Sequence, residues 1–497
     1  MTTNRKIVMT DWRATHPGHC TFNSDNYYTK IANRALKILG KSALDTSFPD
    51  TQSIYECALR ITGWFEDICS GIGLWKTVNN ECQRRYGKLL PFYDCSDYYP
   101  GEPNIQDLRL LLWDSLQIMY PDDFVNPENP GILLTAAELF KLFDDEYEAA
   151  PSTNELLYFI TRPEIGHDWL KTREAMEWIF GGSYVFTAGQ KTFLEGKQKI
   201  HGWKHDAETI SIYTYAHKLS LVFRNRQNLL SFTASEWLSA ISGRQLSIDP
   251  ILLDSSYYSI KGRFTNTLLL CNLVNNETIE VEGESFNEAW FNEFGDKKGV
   301  IIQCSIAGFN GRWYQIGVLR VVAENSELEQ ELEEMRNEAE LPHHRKNSCD
   351  FFYKASKGKD IIFMKGESQA YSFYKKMGYK MNPEQKKELA ELIADRTEDG
   401  MVAFMASPEN GLLMINACIP AIKSNDNPYY DLEYAKENAH SLMVSENYID
   451  YESAILLIEH EMLADASYNS LQGYEHGRAL LQDNARFVAD YSFSKHQ

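Results

Sequence analysis

The chain has 497 residues, of which 43% are hydrophobic and 13% aromatic, so it has enough apolar material for roughly two to four domains with substantial cores. It carries 49 Lys and Arg against 70 Asp and Glu, a formal net charge of -21, which excludes indiscriminate binding to nucleic acid or anionic lipid. The N-terminus has no apolar run of the signal-peptide type, no stretch is apolar enough to cross a bilayer, and the nine cysteines are dilute. We therefore expect a cytoplasmic protein with reduced thiols and no membrane partner.

Residues 1–245 are predicted to form a mainly helical domain. Apolar residues recur three and four positions apart in TQSIYECALRITGWFEDI, NIQDLRLLLWDSLQIMY and GILLTAAELFKLFDDEYEAA. Prolines such as Pro91, Pro103 and Pro151 mark turns or helix starts, and Asn104 and Thr153 are plausible caps.

Residues 250–322 are predicted to form a small antiparallel β-barrel-like or sandwich module. Five short β-rich runs occur between turn signals: YYSIKGRF, TLLLCNLV, ETIEVEG, VIIQCSIAGF and RWYQIGVLRVV. The Asn310-Gly311 pair predicts a hairpin between the last two runs, because these residues tolerate the positive φ that such a turn requires.

The remaining sequence predicts an acidic helical connector at 323–342 and an α+β domain at 343–497. Leu328, Leu332 and Met335 would share one face of the connector. In the last domain, DIIFM and MVAFMA read as strands, ESQAYSFYKKM and PEQKKELAELIADR as helices, and three more helices follow, ending near Phe493. The predicted fold class is therefore α+β multidomain.

The most informative feature is the basic segment, defined here as residues 343–387. It contains eleven Lys or Arg against four Asp or Glu, a net of +7 in an acidic chain, and aromatic residues are interleaved with the charges. The candidates for binding a polyanion are Lys354, Lys357, Lys359, Lys375, Lys376 and Lys380. The alternative is that these lysines form a solvated face or pair with the acidic connector.

The β-rich module offers a second set of candidates, Arg263, Arg312, Trp313 and Tyr314, for contact with a partner. Trp313 and Tyr314 point to opposite faces of their strand, so one of them is expected in the core. The module lacks the excess of Lys and Arg that is typical of nucleic-acid-binding barrels, so a protein or peptide partner is favoured here.

Metal and cofactor sites are not predicted. His16, His19 and Cys20 in HPGHC resemble metal ligands, but isolated groups of this kind more often serve as surface or capping residues. The sequence IEHEMLAD, around His460, lacks the second histidine of the H-E-x-x-H motif.

The alternative to a binding protein is an enzyme whose site is assembled from distant residues, which would require Asp426, Asp431, His440 and Glu459 to converge. The sequence AYSFYKKMGYK also resembles a signature of the acetyl-CoA-dependent N-acetyltransferase fold, which would imply an acyl-CoA-dependent transferase. It lacks that family's upstream glycine-rich loop, and the chain continues into a helical pattern where the family has a strand.

Two terminal passages, IVMTDWRATHPGHCTFNSDNYYTKIANRAL and ENGLLMINACIPAIKSNDNPYYDLEYAKENA, resemble an uncharacterised domain-of-unknown-function family of gut bacterial (Bacteroides-group) proteins. The resemblance implies a bacterial cytoplasmic origin and no activity. Our hypothesis from the sequence is a non-enzymatic intracellular binding or regulatory protein. It contacts a macromolecular partner, either nucleic acid or protein, and no catalytic residues are assigned.

Overall fold

The computed structural model describes residues 6–121, 123–204, 207–246, 256–396, 400–408 and 410–493. By its internal contacts the chain divides into two compact units, the first comprising 1–119 and 130–338 and the second 120–129 and 339–496. This division differs from the four parts predicted from the sequence. The helical region and the β-rich module belong to one unit, and the boundary at 338/339 falls within the predicted connector.

The predicted helical region is confirmed. Its helices are α1 (Met9–Arg13), α2 (Asp25–Leu39), α3 (Thr51–Ser70), α4 (Leu74–Tyr86), α5 (Ile105–Met119), α6 (Pro130–Tyr147), α7 (Asn154–Thr161), α8 (Trp169–Gly181), α9 (Thr187–His201), α10 (Ala207–Arg224) and α11 (Ala234–Ser242). Short 3-10 helices occur at Pro17–His19, Asp45–Ser47 and Tyr184–Phe186.

Helix α3 shows how local chemistry sets these elements. The Asp50 carboxylate caps its start by accepting a hydrogen bond from the Ser53 amide at 2.7 Å, and Gly71 ends it at a φ of +64°. Its buried face recurs with helical spacing at Ile54, Ala58, Ile61 and Phe65. Thr153, a predicted cap, does precede α7, but its side chain makes no capping hydrogen bond.

The β-rich module is a closed barrel, and all five predicted strands are confirmed. Its elements are β1 (Ser256–Arg263), β2 (Thr267–Asn272), β3 (Thr278–Glu282), α12 (Glu288–Phe294), β4 (Ile301–Phe309) and β5 (Arg312–Val322). The strand order is β1-β2-β3-β5-β4, closed by pairing of β4 with β1. The predicted hairpin is also confirmed, because Asn310 and Gly311 adopt φ values of 51° and 73°.

The antiparallel prediction needs one correction: β3 and β5 pair in parallel, with Val281 opposite Trp313. A ring with an odd number of strands cannot alternate direction throughout, so one parallel pair is required for closure. Helix α12, which connects β3 to β4, was not predicted. The barrel core contains Tyr258, Leu268, Leu270, Ile302 and Ile306, all fully buried.

The barrel packs against helices of its own unit. The Tyr314 ring stacks on Trp169 of α8 with centroids 5.1 Å apart, and Phe309 lies 5.5 Å from the same indole. At the hairpin, the Asn310 side-chain amide donates a 2.7 Å hydrogen bond to the carbonyl of Gly166. These contacts explain why the helical region and the barrel form one unit.

The predicted connector is the first part of one helix, α13 (Ser326–Ser356), which continues into the basic segment. The predicted apolar face is confirmed, since Leu328, Leu332 and Met335 pack with Tyr257 of the barrel.

The second unit contains a three-stranded antiparallel sheet of order β6-β7-β8 together with short helices. Its elements are β6 (Ile361–Lys365), α14 (Glu367–Lys376), α15 (Pro383–Arg396), β7 (Met401–Ser407), β8 (Gly411–Ile415), α16 (Leu432–Asn438), α17 (Ser441–Val444), α18 (Tyr451–Glu459), α19 (Tyr474–Gln482) and α20 (Ala485–Ser492).

The α+β class of this part is confirmed, but β8 was not predicted, and five helices follow it in the described residues where three were expected. Helices of seven and four residues, such as α16 and α17, are too short to show a helical period. None of the helices in the described ranges is both long and apolar enough to cross a membrane.

Candidate functional site

The basic segment forms a folded surface of the second unit, built from the end of α13, β6, α14 and the start of α15. Beneath it lies a core that includes Phe352, Phe373, Leu389 and Phe404. The lysines are therefore displayed on secondary structure with a packed interior.

The aromatic residues of this segment divide between core and surface. Phe351, Phe352 and Tyr353 are consecutive on α13, and successive helical positions point about 100° apart, so the three cannot all face inward. Phe352 is buried against Phe373, with ring centroids 5.6 Å apart. Phe351 and Tyr353 are 47% and 40% exposed.

The exposed Phe351 belongs to a small aromatic cluster that joins α13 to α14. The Tyr379 ring lies edge-on to Phe351 at 6.4 Å and to Tyr374 at 6.0 Å. The Tyr379 hydroxyl is 2.8 Å from the Ser348 hydroxyl, which fixes the ring against α13. Tyr379 remains 37% exposed, so the cluster presents ring surface to solvent.

A groove of about 460 Å³ opens beside this cluster. Tyr374, Tyr379 and Lys380 line one side of it, and α15 supplies the other side with Glu388 and Leu389. The groove therefore combines aromatic rings, one ammonium group and one carboxylate. We call this the aromatic groove.

Of the six lysine candidates, the structure brings Lys380 to the aromatic groove. Lys354 is exposed and follows Phe351 by three residues, so both lie on the same face of α13. Lys375 and Lys376 are exposed in the last turn of α14, where positive charge also complements the helix dipole.

The other two lysine candidates lie at the turn that ends α13. Lys357 and Gly358 adopt φ values of 63° and 80°, and the Gly358 amide donates a 2.9 Å hydrogen bond back to the carbonyl of Tyr353. This amide is therefore occupied by the helix end. Lys359 forms a 2.9 Å ion pair with Asp426.

The candidates on the barrel are engaged within the chain. Arg263 lies over the Phe291 ring at 4.3 Å and forms an ion pair with Asp296 at 3.6 Å. Trp313 packs against the barrel core, while Tyr314 is buried against Trp169. Tyr314 is thus the buried ring of the two and has little surface for a partner, while Trp313 is partly buried.

One face of the barrel has the wrong charge for an anion. A groove along β2, β3 and the start of β5 is lined by Glu277, Glu280 and Glu282, together with Arg312 and Trp313. Arg312 lies 3.7 Å from Glu282. Many small five-stranded barrels bind oligonucleotides on the face formed by their second and third strands. In this barrel the three glutamates on that face would repel the phosphates.

No group of three or more His, Cys, Asp or Glu is placed to hold a metal ion within the described ranges. His16 is buried, with Nε2 3.0 Å from Oε2 of Glu66, and Cys20 is exposed. The His19 side chain lies outside the described residues. Sequence reasoning missed the contact between His16 and Glu66, which neither motif nor spacing signals.

The four residues that an assembled enzyme site would require have separate partners and are not joined to one another. Asp426 pairs with Lys359, Asp431 caps α16 by accepting from the Tyr434 amide at 3.0 Å, and Glu459 pairs with Arg486. His440 is partly buried, and the resulting desolvation lowers the pKa of its imidazole. In the described part of the chain, no hydrogen bond or ion pair joins any two of Asp426, Asp431, His440 and Glu459.

The family model described as "Protein of unknown function (DUF3843)" matches residues 6–282 and 310–494. The unmatched stretch between these ranges contains α12 and β4. No curated protein and no solved structure matches the chain. Since the matched ranges cover most of its length, the chain belongs to the DUF3843 family, whose function is unknown.

Proposed function

We propose that this chain is a non-enzymatic, cytoplasmic binding or regulatory protein that holds single-stranded nucleic acid on the aromatic and basic surface of its second unit. The observation that carries the proposal is the contact of two exposed rings, Phe351 and Tyr379, next to Lys354 and Lys380 in a segment of net charge +7. The nine free cysteines support a reducing compartment.

Single strands fit this surface better than a duplex. Exposed rings offer a platform on which unpaired bases stack, at about 1–3 kcal/mol per base, and the lysines meet the phosphates. A duplex hides its base faces and would use only the charges. The remainder of the chain is strongly acidic, so it confines a polyanion to this surface and makes the affinity depend steeply on salt.

The competing explanation is that the lysines form only a solvated face. Lys359 forms an ion pair with Asp426, and Lys387 forms one with Glu391 at 3.3 Å. Part of the positive charge of the basic segment is therefore neutralised within the chain. A test must therefore separate contacts at the aromatic groove from the general charge of the segment.

Fluorescence anisotropy with a labelled oligothymidylate and a duplex of equal length, at about 50 and 200 mM salt, makes this separation. We expect the single strand to bind more tightly than the duplex. Lys354→Glu/Lys380→Glu should weaken binding at least about tenfold and reduce the salt dependence, because two phosphate contacts are lost. The matched control is Lys30→Glu/Lys37→Glu on α2, two exposed lysines in the other unit, which should leave binding unchanged.

The aromatic contribution is tested with Phe351→Ala/Tyr379→Ala. This variant should lose single-strand affinity while keeping the salt dependence, because stacking releases no counterions. Lys357→Glu/Lys376→Glu tests the rest of the basic segment. Equal affinity for single strand, duplex and heparin would reduce the site to a general polyanion surface, and no binding at the lower salt would refute the proposal.

A further inference from the structure

The helical region of the first unit contains a cavity of about 640 Å³, separate from the aromatic groove. It lies between α3, the end of α5 and α9, and its apolar lining includes Ile118, Trp178 and Leu194. This volume is within the range of sites that bind small organic molecules, roughly 300–1,000 Å³.

The inner wall of this cavity is built on a buried polar network. His16 and Glu66 line the cavity, and their side chains are only 1% and 4% exposed. Glu66 accepts hydrogen bonds from His16 at 3.0 Å and from the Thr153 hydroxyl at 2.6 Å. Thr153 in turn lies 2.8 Å from the hydroxyl of Ser24.

This network includes polar atoms that lack hydrogen-bond partners among the described residues. Nδ1 of His16 and Oδ1 of Asp25 are both buried without a hydrogen bond, and they face each other at 3.6 Å. Asp25 also receives a 2.7 Å hydrogen bond from Arg13. Of these residues His16 and Glu66 line the cavity, so the network fixes the side chains of its inner wall.

The charges around the cavity select the ligand. Its lining includes four carboxylates: Asp50 caps α3 and Glu66 is bonded to His16 and Thr153. The other two, Glu56 and Glu195, are exposed, and Glu56 accepts a 2.7 Å hydrogen bond from the side-chain amide of Gln52. The cations on the lining are already engaged: the Arg60 guanidinium is buried against Asp114 and also donates to the Tyr184 carbonyl at 3.1 Å. The Lys191 ammonium donates to the carbonyl of Ile118 at 3.1 Å.

The cavity is suited to binding rather than thiol chemistry. Cys57 lines it, but burial raises the pKa of this thiol to about 11, so the sulfur stays protonated and weakly nucleophilic near neutral pH.

We propose that this cavity binds a small organic cation, an apolar body carrying an amine, with the amine directed to Glu56 and Glu195 at the mouth and the apolar body against Trp178 and Leu194. The volume accommodates a molecule of this size, the excess of carboxylates favours positive charge, and the apolar wall removes the body from water. This site is formed by residues of the first unit alone, so it does not rest on nucleic-acid binding by the second unit.

The proposal is tested on the full chain with two fluorescent probes that differ in charge. Dansylcadaverine carries a primary amine, and dansylated aminohexanoate carries a carboxylate on the same ring system. Titration followed by dansyl emission should show the amine binding at least tenfold more tightly than the carboxylate. Equal affinity of the two probes, or no binding of either, would overturn the proposal.

Two variants locate the site. Glu56→Lys/Glu195→Lys reverses two exposed charges at the mouth and should weaken binding of the amine at least tenfold. The matched control is Glu148→Lys/Glu155→Lys, which makes the same charge change at exposed positions that do not line the cavity and should leave the affinity unchanged. Leu194→Trp, at a side chain 51% exposed, narrows the mouth and should weaken both probes. Amine binding that is unaffected by Glu56→Lys/Glu195→Lys and by Leu194→Trp would place the probe elsewhere and refute the assignment.

Discussion

The Nε2–H of His16 donates to Oε2 of Glu66 at 3.0 Å, although the two residues are 50 positions apart in the chain. Both side chains are buried, and the contact connects the segment after α1 to the C-terminal part of α3. It is one of several buried polar contacts in the helical region, beside those of Asp67 and Asp107, and its removal has a predictable effect on stability.

Removing both partners of this pair should cost less than the sum of the costs of removing each one alone. His16→Ala leaves a buried carboxylate with fewer donors, and we expect a loss of about 3–5 kcal/mol in the free energy of unfolding. His16→Ala/Glu66→Leu should be less destabilising than the sum of the single variants, because no uncompensated charge remains. Urea unfolding followed by circular dichroism measures all three variants, and strict additivity would contradict a direct interaction.

The stability of the first unit should depend on pH through Asp107. This carboxyl is buried, accepts a 2.7 Å hydrogen bond from the Tyr98 hydroxyl, and has a pKa that burial raises from 3.8 to about 7. The folded chain therefore binds this proton more tightly than the unfolded chain does. As the pH falls from about 8 to 5, the contribution of Asp107 to the free energy of unfolding therefore becomes more favourable, by at most about 1.4 kcal/mol per pH unit. Below a pH of about 4 this contribution no longer changes.

Asp107→Asn removes this titration. The difference in unfolding free energy between the natural chain and Asp107→Asn should therefore change with pH over this window, with the variant gaining relative to the natural chain as the pH rises. Chemical denaturation at a series of pH values measures it, and a difference that stays constant would show that Asp107 keeps an ordinary pKa.

Asp67 should be important for the junction between α3 and α4. Its carboxylate accepts hydrogen bonds from the amides of Gly73 at 2.7 Å and Trp75 at 2.6 Å, and from the Tyr184 hydroxyl at 2.7 Å. Asp67→Ala leaves several buried donors unpaired and should lower the free energy of unfolding by about 3 kcal/mol. Tyr184→Phe removes a single donor and should cost less. Similar losses in the two variants, measured by urea denaturation, would argue against the amides as the main partners.

The hairpin between β4 and β5 should depend on glycine at position 311. Gly311 has a φ of 73°, so Gly311→Ala places a side chain in the left-handed region and should cost about 1–2 kcal/mol. Gly262→Ala is the matched control in the same barrel, because its φ is not positive and no atom lies within 4 Å of the added methyl group. The unfolding temperatures of the two variants measure the difference. An equal decrease for both substitutions would contradict a specific requirement for glycine at the turn.

The barrel and the helical region should unfold together. Tyr314 stacks on Trp169 at 5.1 Å, so Tyr314→Ala removes a buried ring from their contact and should cost about 3 kcal/mol. For Tyr314→Ala, we expect tryptophan fluorescence and far-ultraviolet circular dichroism to give the same unfolding midpoint, lower than that of the natural chain, because both regions unfold in one transition. Unfolding of the barrel at a denaturant concentration where the helices remain folded would instead support separate domains.

Much of the secondary structure could be predicted from the sequence, because it is determined by residues that are close together in the chain. The five barrel strands, the Asn310-Gly311 turn and the apolar face of Leu328, Leu332 and Met335 follow from side-chain period and turn chemistry within a few residues. The short strand β8 was missed, and three helices were expected after it where five form, because segments as short as β8, α16 and α17 carry too little pattern.

The candidate sites were only partly readable. The sequence identified the basic segment, but it did not separate the buried Phe352 from the exposed Phe351, nor bring Tyr379 to α13. The cavity in the helical region had no sequence signal, because its lining comes from helices far apart in the chain.

Charge, composition and periodicity were enough to predict the acidic character of the chain, its basic segment, its α+β class and the positions of most helices and strands. Only the folded chain shows the parallel pairing of β3 with β5, the burial of His16 against Glu66, and which lysines lie beside exposed rings. Charge and periodicity are properties of residues that are neighbours in the chain. A closed barrel, a buried hydrogen bond or a cavity depends instead on which distant segments pack together, and many pairings satisfy the same local pattern.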